Sequence, residues 1–265
     1  MSTVLQLSDP HFGTERPLVV QALVAFARQQ RPDLLVLSGD ITQRARQTQF
    51  QAARAFVDRL GVRVLAIPGN HDIPLFDVWT RLFHPYAQQV AAFGSDLEPG
   101  HSCADLMVLC VNTTRPWRHK HGEVSARQIE RVARTLATAS AQQLRVVVVH
   151  QPVAVTRAED MQNLVRGHAA ALQRWSAAGA DLVLGGHIHL PYVMQLPDLA
   201  RPVWAVQAGT SVSSRVRSGA PNSVNLLRWG KDSSLGCCRI EQWDYCAANQ
   251  AFALALVTEV QPLRP

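Results

Sequence analysis

Ala66-Ile67-Pro68-Gly69-Asn70-His71-Asp72 closes an apolar, strand-like stretch, Val62 to Ile67, with a Pro-Gly turn and three polar side chains. A turn at the end of a buried strand holds reactive groups rigidly and keeps them reachable. Upstream, Thr3 to Leu7 alternates and predicts a strand with a polar tip, Ser8-Asp9-Pro10-His11. Residues 17–30 place Val19, Ala22, Leu23 and Phe26 on one helical face, and Pro17 suits a first helical turn. Asp33 to Leu37 predicts a buried strand ending at Ser38-Gly39-Asp40. Residues 46–60 return to helical spacing through Phe50, Ala53, Val57 and Leu60. The order strand, helix, strand, helix, strand is an α/β pattern, and in such sheets the carboxyl ends of the strands form the functional edge. Asp9, His11, Asp40, Asn70 and His71 all fall on that edge.

Downstream, Trp79, Leu82, Phe83, Tyr86 and Val90 fit one helix face within residues 74–103, a stretch too short for a large separate cap. Leu106 to Val111 predicts a fourth strand. Ser125-Ala126-Arg127-Gln128 is a capping-box signature, and Ile129, Val132, Ala133 and Leu136 supply the apolar face behind it. The valine-rich run Leu144 to Val149 predicts a central strand ending at His150. A helix over 161–178 and a strand from Asp181 to Leu184 lead to Gly185-Gly186-His187-Ile188-His189. From about 190 to 265 short strand-like runs alternate with turns, which predicts mainly antiparallel pairing. With no repeat, linker or low-complexity tract, residues 1–265 are expected to form a single domain.

The chain is 47% hydrophobic and 17% charged, which is ordinary for a globular protein with a real core. No apolar run approaches the roughly 18 residues of a membrane span. The first residues enter a strand pattern without a basic leader and apolar h-region, so a cytoplasmic protein is expected. Cys103, Cys110, Cys237, Cys238 and Cys246 are odd in number and lack CxxC spacing, which predicts free thiols rather than a disulfide framework or zinc knot. The net charge of +6 comes almost wholly from arginine, Lys120 and Lys231 being the only lysines. These arginines are scattered. The balance suits a small anionic substrate, and the lack of a dense basic run argues against nucleic acid.

The strand tips together offer Asp9, His11, Asp40, Asn70, His150, His187 and His189. Carboxylates, an amide oxygen and imidazoles suit zinc, manganese or iron(II) better than calcium. Seven groups exceed the needs of one tetrahedral ion and suit two divalent ions sharing a bridging carboxylate. Such a pair clamps phosphate oxygens and lowers the pKa of a shared water to about 7, giving hydroxide for in-line attack on phosphorus. Asp-x-His or Gly-Asp alone is weak, since each is also an ordinary loop polar. Gly-Asn-His-Asp and Gly-His-x-His are rarer, and the whole set in this order at successive strand ends points to a metal site.

Asp9-Pro10-His11, Gly39-Asp40, Gly69-Asn70-His71-Asp72, His150 and Gly186-His187-Ile188-His189 resemble the calcineurin-like metallophosphoesterase superfamily, and within it the class III cyclic-nucleotide phosphodiesterase branch. The resemblance runs from Thr3 to about Trp229. It implies a two-layer mixed β-sandwich flanked by helices, with a dinuclear centre at one sheet edge. It also implies that Asp9, His11 and His189 join Asp40 around one metal, while Asn70, His150 and His187 hold the second, with Asp40 bridging. His71 is then not a ligand but faces the leaving oxygen as proton donor or electrostatic stabiliser. The chain departs from many relatives at Val149-His150-Gln151-Pro152, with one histidine before the proline. It also departs at Ile41-Thr42-Gln43-Arg44, which lacks a second acidic residue.

On the substrate side, Arg215 and Arg217 follow a strand-end run, Ala208-Gly209-Thr210-Ser211, and Arg44 follows Gly39-Asp40. Guanidinium suits phosphate oxygens bidentately, although a solvated loop explains these arginines as simply. His119 and His121 fall in a polar loop. Trp79 and Tyr86 have the faces to stack a base, with packing into a core or cap the favoured reading. A phosphodiesterase of small molecules, cyclic nucleotides first, is the function expected. Alternatives with the same chemistry are a nucleotide-sugar or lipid pyrophosphatase, a phosphomonoesterase and a nuclease. A non-enzymatic scaffold is disfavoured because no ligand position is lost. The strand-rich C-terminal third is compatible with a homodimer edge.

Overall fold

β1 (Ser2–Leu7), α1 (Pro17–Gln30), β2 (Leu34–Leu37), α2 (Gln47–Leu60) and β3 (Val64–Ala66) follow one another in the order the apolar spacing dictates. This computed structural model describes residues 2–230 and 236–264. The chain continues through α3 (Val78–Phe83), α4 (Ala87–Phe93), β4 (Gly100–Ser102), β5 (Leu106–Cys110), α5 (Ala126–Leu136), β6 (Leu144–Val148) and α6 (His168–Ala177). It ends with β7 (Leu182–Gly185), β8 (Tyr192–Gln195), β9 (Trp204–Gln207), β10 (Ser223–Trp229), β11 (Cys238–Cys246) and β12 (Ala251–Val260).

The strands form two mixed sheets, ordered β12-β11-β10-β1-β2-β3 and β4-β5-β6-β7-β9-β8. β1, β2 and β3 are parallel, as are β5, β6, β7 and β9, while β10, β11 and β12 extend the first sheet antiparallel. Side chains alternate across each strand, and the alternation builds three cores. On β1, Val4 faces the second sheet with Leu34, Val36, Val146 and Val148, whereas Leu5 and Leu7 pack under α1 and α2. On β6, Val147 joins Val183 and Trp175 beneath α5 and α6. The result is helix, sheet, sheet, helix, the sandwich architecture implied by the sequence motifs.

The local signals act as read. Ser125 Oγ accepts from Gln128 N and starts α5, and α1 begins at Pro17. Two expectations change. The single helical face over 74–103 is two short helices broken at His84-Pro85, because proline removes an N–H and disfavours helix in the residue before it. Its apolar residues do not pack inward: Trp79, Leu82 and Phe83 are exposed. The helix expected over 161–178 is a 3₁₀ turn at Ala158–Asn163 and then α6, separated by Gly167 in the left-handed region. All five cysteines are free. No described helix is long and apolar enough to cross a membrane.

Candidate metal centre

The carboxyl ends of β1, β2 and β3 in one sheet and β6 and β7 in the other meet at one edge of the sandwich, and their loops are stitched together. Asp9 N donates to Gly39 O at 3.1 Å, His11 N to Asp40 O at 3.1 Å, Gly186 N to His150 O at 2.9 Å and Ser211 N to Ser8 O at 3.0 Å. Two glycines permit this closeness. A Cβ on Gly69 would overlap the backbone N and Oδ1 of Asp40, and one on Gly186 would overlap Ser8 Oγ.

Three groups of side-chain donors result, each with its ligand atoms within 4.8 Å of one another: Asp9, His11 and His189; His11, Asp40 and His71; and Asp40, His150 and His187. His11 Nε2 lies 3.1 Å from His189 Nε2, 3.7 Å from Asp9 Oδ1 and 3.9 Å from Asp40 Oδ2. His150 Nε2 lies 3.3 Å from Asp40 Oδ1. Asp40 therefore stands between two donor groups. The seven donors read from the sequence are brought to one edge by five strands distributed over 180 residues of chain.

The backbone is strained at this edge. Asp9, His11, Asp40, His187 and His189 have φ of +50, +43, +47, +72 and +55°. The left-handed region costs a non-glycine residue about 1–2 kcal/mol, and such strain concentrates where function needs it. Among the described residues, five of the nine non-glycine residues with positive φ are these donors. Hydrogen-bond partners outside the cluster fix the rings. His150 Nδ1 donates to Ser38 O at 2.8 Å, His189 Nδ1 to Arg215 O at 2.6 Å and His71 Nδ1 to Gln43 O at 3.0 Å. In the neutral ring each such bond puts the lone pair on Nε2, the tautomer through which an imidazole binds a metal.

The residues fit divalent ions. Asp9 Oδ1, Asn70 Oδ1, His150 Nε2 and His187 Nδ1 are buried and make no hydrogen bond. Buried polar atoms are normally paired, and four orphaned donor atoms at one edge form a cluster that a cation satisfies. The electrostatics agree. Burial, which outweighs the neighbouring carboxylates, pushes His11 down to about 3, and burial with the nearby His150 does the same to His187. Both imidazoles are thus neutral, as ligation requires. Burial opposes the charges on Asp9 and Asp40. The histidines around them, His189 for Asp9 and His150 with His71 for Asp40, outweigh it and hold both carboxylates below their ordinary range. Burial likewise opposes a charge on His150, but Asp40 beside it lifts the imidazole to about 9. Without a cation, this histidine takes a proton in its place.

Asp72 is buried and joins two ligand loops. Its Oδ2 accepts from Ile41 N and Gly69 N, both at 2.9 Å, and its Oδ1 accepts from Thr42 N at 2.7 Å and Thr42 Oγ1 at 2.8 Å. Arg215 reaches the cluster, its Nη1 lying 3.1 Å from His71 Nε2, 3.1 Å from Gln43 Oε1 and 3.4 Å from His11 Nδ1. Arg217 is placed elsewhere. It pairs with Asp160 at 2.9 Å and Glu159 at 2.7 Å and donates to Ile188 O, bracing the Gly-His-x-His loop from outside. Arg44 is exposed and lines a small cavity with Asn70, His71, Gln43, Leu75 and His119. Gln43 and Thr210, though they fall in runs quoted from the sequence, are given no role there. Gln43 orients His71 through a backbone carbonyl, and Thr210 Oγ1 donates to Asp9 O at 2.5 Å. Backbone partners of this kind leave no trace in side-chain type.

A family model described as calcineurin-like phosphoesterase matches residues 2–191. A cAMP/cGMP dual specificity phosphodiesterase from Mycobacterium tuberculosis is 24% identical over 218 residues, covering 78% of this chain and 62% of the relative. A "probable cyclic nucleotide phosphodiesterase" from Synechococcus sp. is 31% identical over 81 residues, 27% of this chain and 32% of the relative. The chain thus matches less than two thirds of the length of either. A dimetal phosphatase from Danio rerio superposes with a TM-score of 0.69 at 15% identity, covering 99% of both chains, which is a likeness of fold. With its motifs at the strand ends of a two-sheet sandwich and its donors gathered at one edge, the chain belongs to the calcineurin-like phosphoesterase family.

Proposed function

We propose that the protein is a dinuclear metal-dependent phosphodiesterase that hydrolyses a small phosphodiester. The observation that carries this reading is the cluster of buried, orphaned donors around Asp40, with His71 and Arg215 beside it. When bound, two divalent ions supply a water of lowered pKa and positive charge toward the phosphate oxygens. Asp9, His11, His189 and Asp40 would hold one ion, and Asp40, Asn70, His150 and His187 the other. Hydrolysis joins the oxygen of water to phosphorus and breaks one ester P–O bond, and a proton goes to the departing alcohol.

His71 is suited to that last transfer. Its Nδ1–H is held by Gln43 O, and its Nε2 faces the guanidinium of Arg215. Nε2 accepts from Arg215 here; once the guanidinium turns to a phosphoryl oxygen, a proton on Nε2 can pass to the leaving oxygen while Gln43 keeps the ring in place. Arg215 keeps unused N–H groups beside the same nitrogen and suits a phosphoryl oxygen. A phosphodiester rather than a monoester is favoured by the names of the two relatives, and cyclic nucleotides head the compounds to be tried.

The test is hydrolysis of bis-p-nitrophenyl phosphate by manganese-reconstituted protein before and after chelation. Turnover lost on chelation and restored by metal is expected. Turnover that survives exhaustive chelation, with metal content measured as zero, would sink the reading.

A further inference from the structure

The small cavity that holds Asn70 and His71 has a second histidine in its wall. Arg44, Leu75 and His119 line it too, and its volume is about 80 Å³. Asn70 and His71 are half-buried there, whereas Arg44 and His119 are exposed. A group departing past His71 within this cavity therefore meets Arg44 and His119 before it reaches solvent. The Arg44 guanidinium is engaged by the ring of Phe76, 5.7 Å from its centroid. His119 makes no hydrogen bond among the described residues, and its imidazole is close enough to His71 to feel that ring's charge.

The loop that carries His119 is fixed on both sides of it. Arg118 O accepts from Arg81 Nη2 at 3.1 Å, and Lys120 O accepts from Gln151 Nε2 at 3.4 Å. Arg118 Nε donates to Glu123 Oε2 at 2.9 Å, and Glu123 N donates to Thr113 O at 2.7 Å, which closes the loop at its base. Gln151 is fully buried and follows His150, and its Oε1 accepts from Thr113 Oγ1 at 2.5 Å. A Cβ on Gly122 would overlap the Gln151 side chain, so the glycine lets the loop close onto it. Through Gln151 the loop is tied to the strand end that presents His150, and His119 is held in place over the cavity rather than left on a free loop.

Accepting the phosphodiesterase reading, on which this rests, we infer that His119 is a further substrate-binding residue, its imidazole hydrogen-bonding an oxygen of the departing group while that group lies beside His71. The chemistry of the ring suits a hydroxyl. Partial loss of water around it, then the charges of Arg81 and His71, lower its pKa, so at neutral pH the ring is uncharged. A neutral imidazole offers one N–H donor and one acceptor nitrogen, and a hydroxyl answers both. A diester whose departing group carries a hydroxyl close to the ester oxygen is therefore held more tightly than one with a plain alkyl group, and His119 supplies the difference.

The test is calorimetric binding of inorganic phosphate, dipropylphosphinate and bis(3-hydroxypropyl)phosphinate to manganese-reconstituted protein, with bound metal and hydrolysis of bis-p-nitrophenyl phosphate measured in parallel. The two phosphinates carry the same charge, match a diester in shape, cannot be hydrolysed at their P–C bonds and differ in the hydroxyls. The hydroxylated phosphinate is expected to bind about fivefold more tightly than the plain one, the worth of one net hydrogen bond. His119→Ala, at an exposed position, should reduce that preference to less than twofold, with the affinity for inorganic phosphate and the bound metal unchanged. Equal affinities for the two phosphinates in the wild type overturn the inference while the phosphodiesterase reading stands. So do a preference that survives His119→Ala and a loss shared equally by all three ligands. A preference that depends on His119 in protein that hydrolyses no phosphoester would keep the contact and remove the phosphodiesterase reading.

Discussion

Arg215 Nη1 lies 3.1 Å from Nε2 of His71, so the guanidinium caps the one imidazole nitrogen that the Gln43 carbonyl leaves free. The same residue accepts from His189 Nδ1 through its backbone oxygen at 2.6 Å. One position thereby orients His189 and faces His71. Replacing His71 by alanine should lower kcat about 10²-fold and leave the bound metal per chain unchanged by elemental analysis. Loss of metal together with activity would make His71 a ligand instead.

Arg215→Ala removes the side chain and keeps the carbonyl that holds His189. Its kcat/KM should fall about 10²-fold with the metal retained. Because Arg215 and His71 touch, the double variant should lose far less than the product of the two single losses. Strict multiplicativity in the kinetics would show that the two act separately.

Asp72 contributes to the site through the backbone. Both of its oxygens accept backbone N–H groups, so Asp72→Asn turns an amide NH₂ against at least one buried donor whichever way it is oriented. Asp72→Ala leaves all three N–H groups unpaired, and a loss of about 3–5 kcal/mol is expected on thermal unfolding. The asparagine variant should recover only a part of that loss. Full stability in Asp72→Asn would mean that these loops are held by something else.

Gly69→Ala tests the close approach of the Asn-His-Asp turn to Asp40. The added Cβ overlaps backbone N and Oδ1 of Asp40, atoms that cannot move without displacing the Asp40 carboxylate. Metal affinity, measured by competition with a chelator, should drop at least tenfold while the far-UV circular dichroism is unchanged. Wild-type affinity in this variant would show that the two loops have room to part.

Glu241 on β11 gives a pH-dependent stability away from the site. Burial disfavours its charge, but bonds from Arg239 at 2.7 Å and Trp243 at 3.0 Å, with the charges of Arg228 and Arg239, outweigh it and lower the pKa. A carboxyl lowered in the folded state adds stability above its unfolded pKa of about 4.3, and that stability is lost as pH falls through the folded value. Glu241→Gln should cost about 1 kcal/mol at neutral pH, because Arg239 is partly exposed and screened. The gap between the two proteins should close as the solution is acidified below the ordinary glutamate range. A constant gap across that range would assign the loss to packing.

The sequence by itself determined the strand–helix order of the first 72 residues. Period-3.6 and period-2 spacing, Pro17 and the Ser125–Gln128 box are local signals, and local backbone preferences answer them. It also placed Asp9, His11, Asp40, Asn70, His150, His187 and His189 at strand tips, because a tip is read from where an apolar run stops. Tertiary structure decided what local spacing does not carry. Arg215 and Arg217 are two residues apart and chemically alike, yet one points at His71 and the other is drawn to Asp160 and Glu159. That outcome depends on a carboxylate pair some 57 residues away in the chain. Trp79, Leu82 and Phe83 had a helical apolar pattern, and pattern alone implies burial. They stay exposed, Trp79 and Phe83 stacking on each other, because the polar ties of Asp77 and Arg81 fix α3 with its apolar side chains outward. Periodicity states which residues share a face, and only the packed chain states what that face meets.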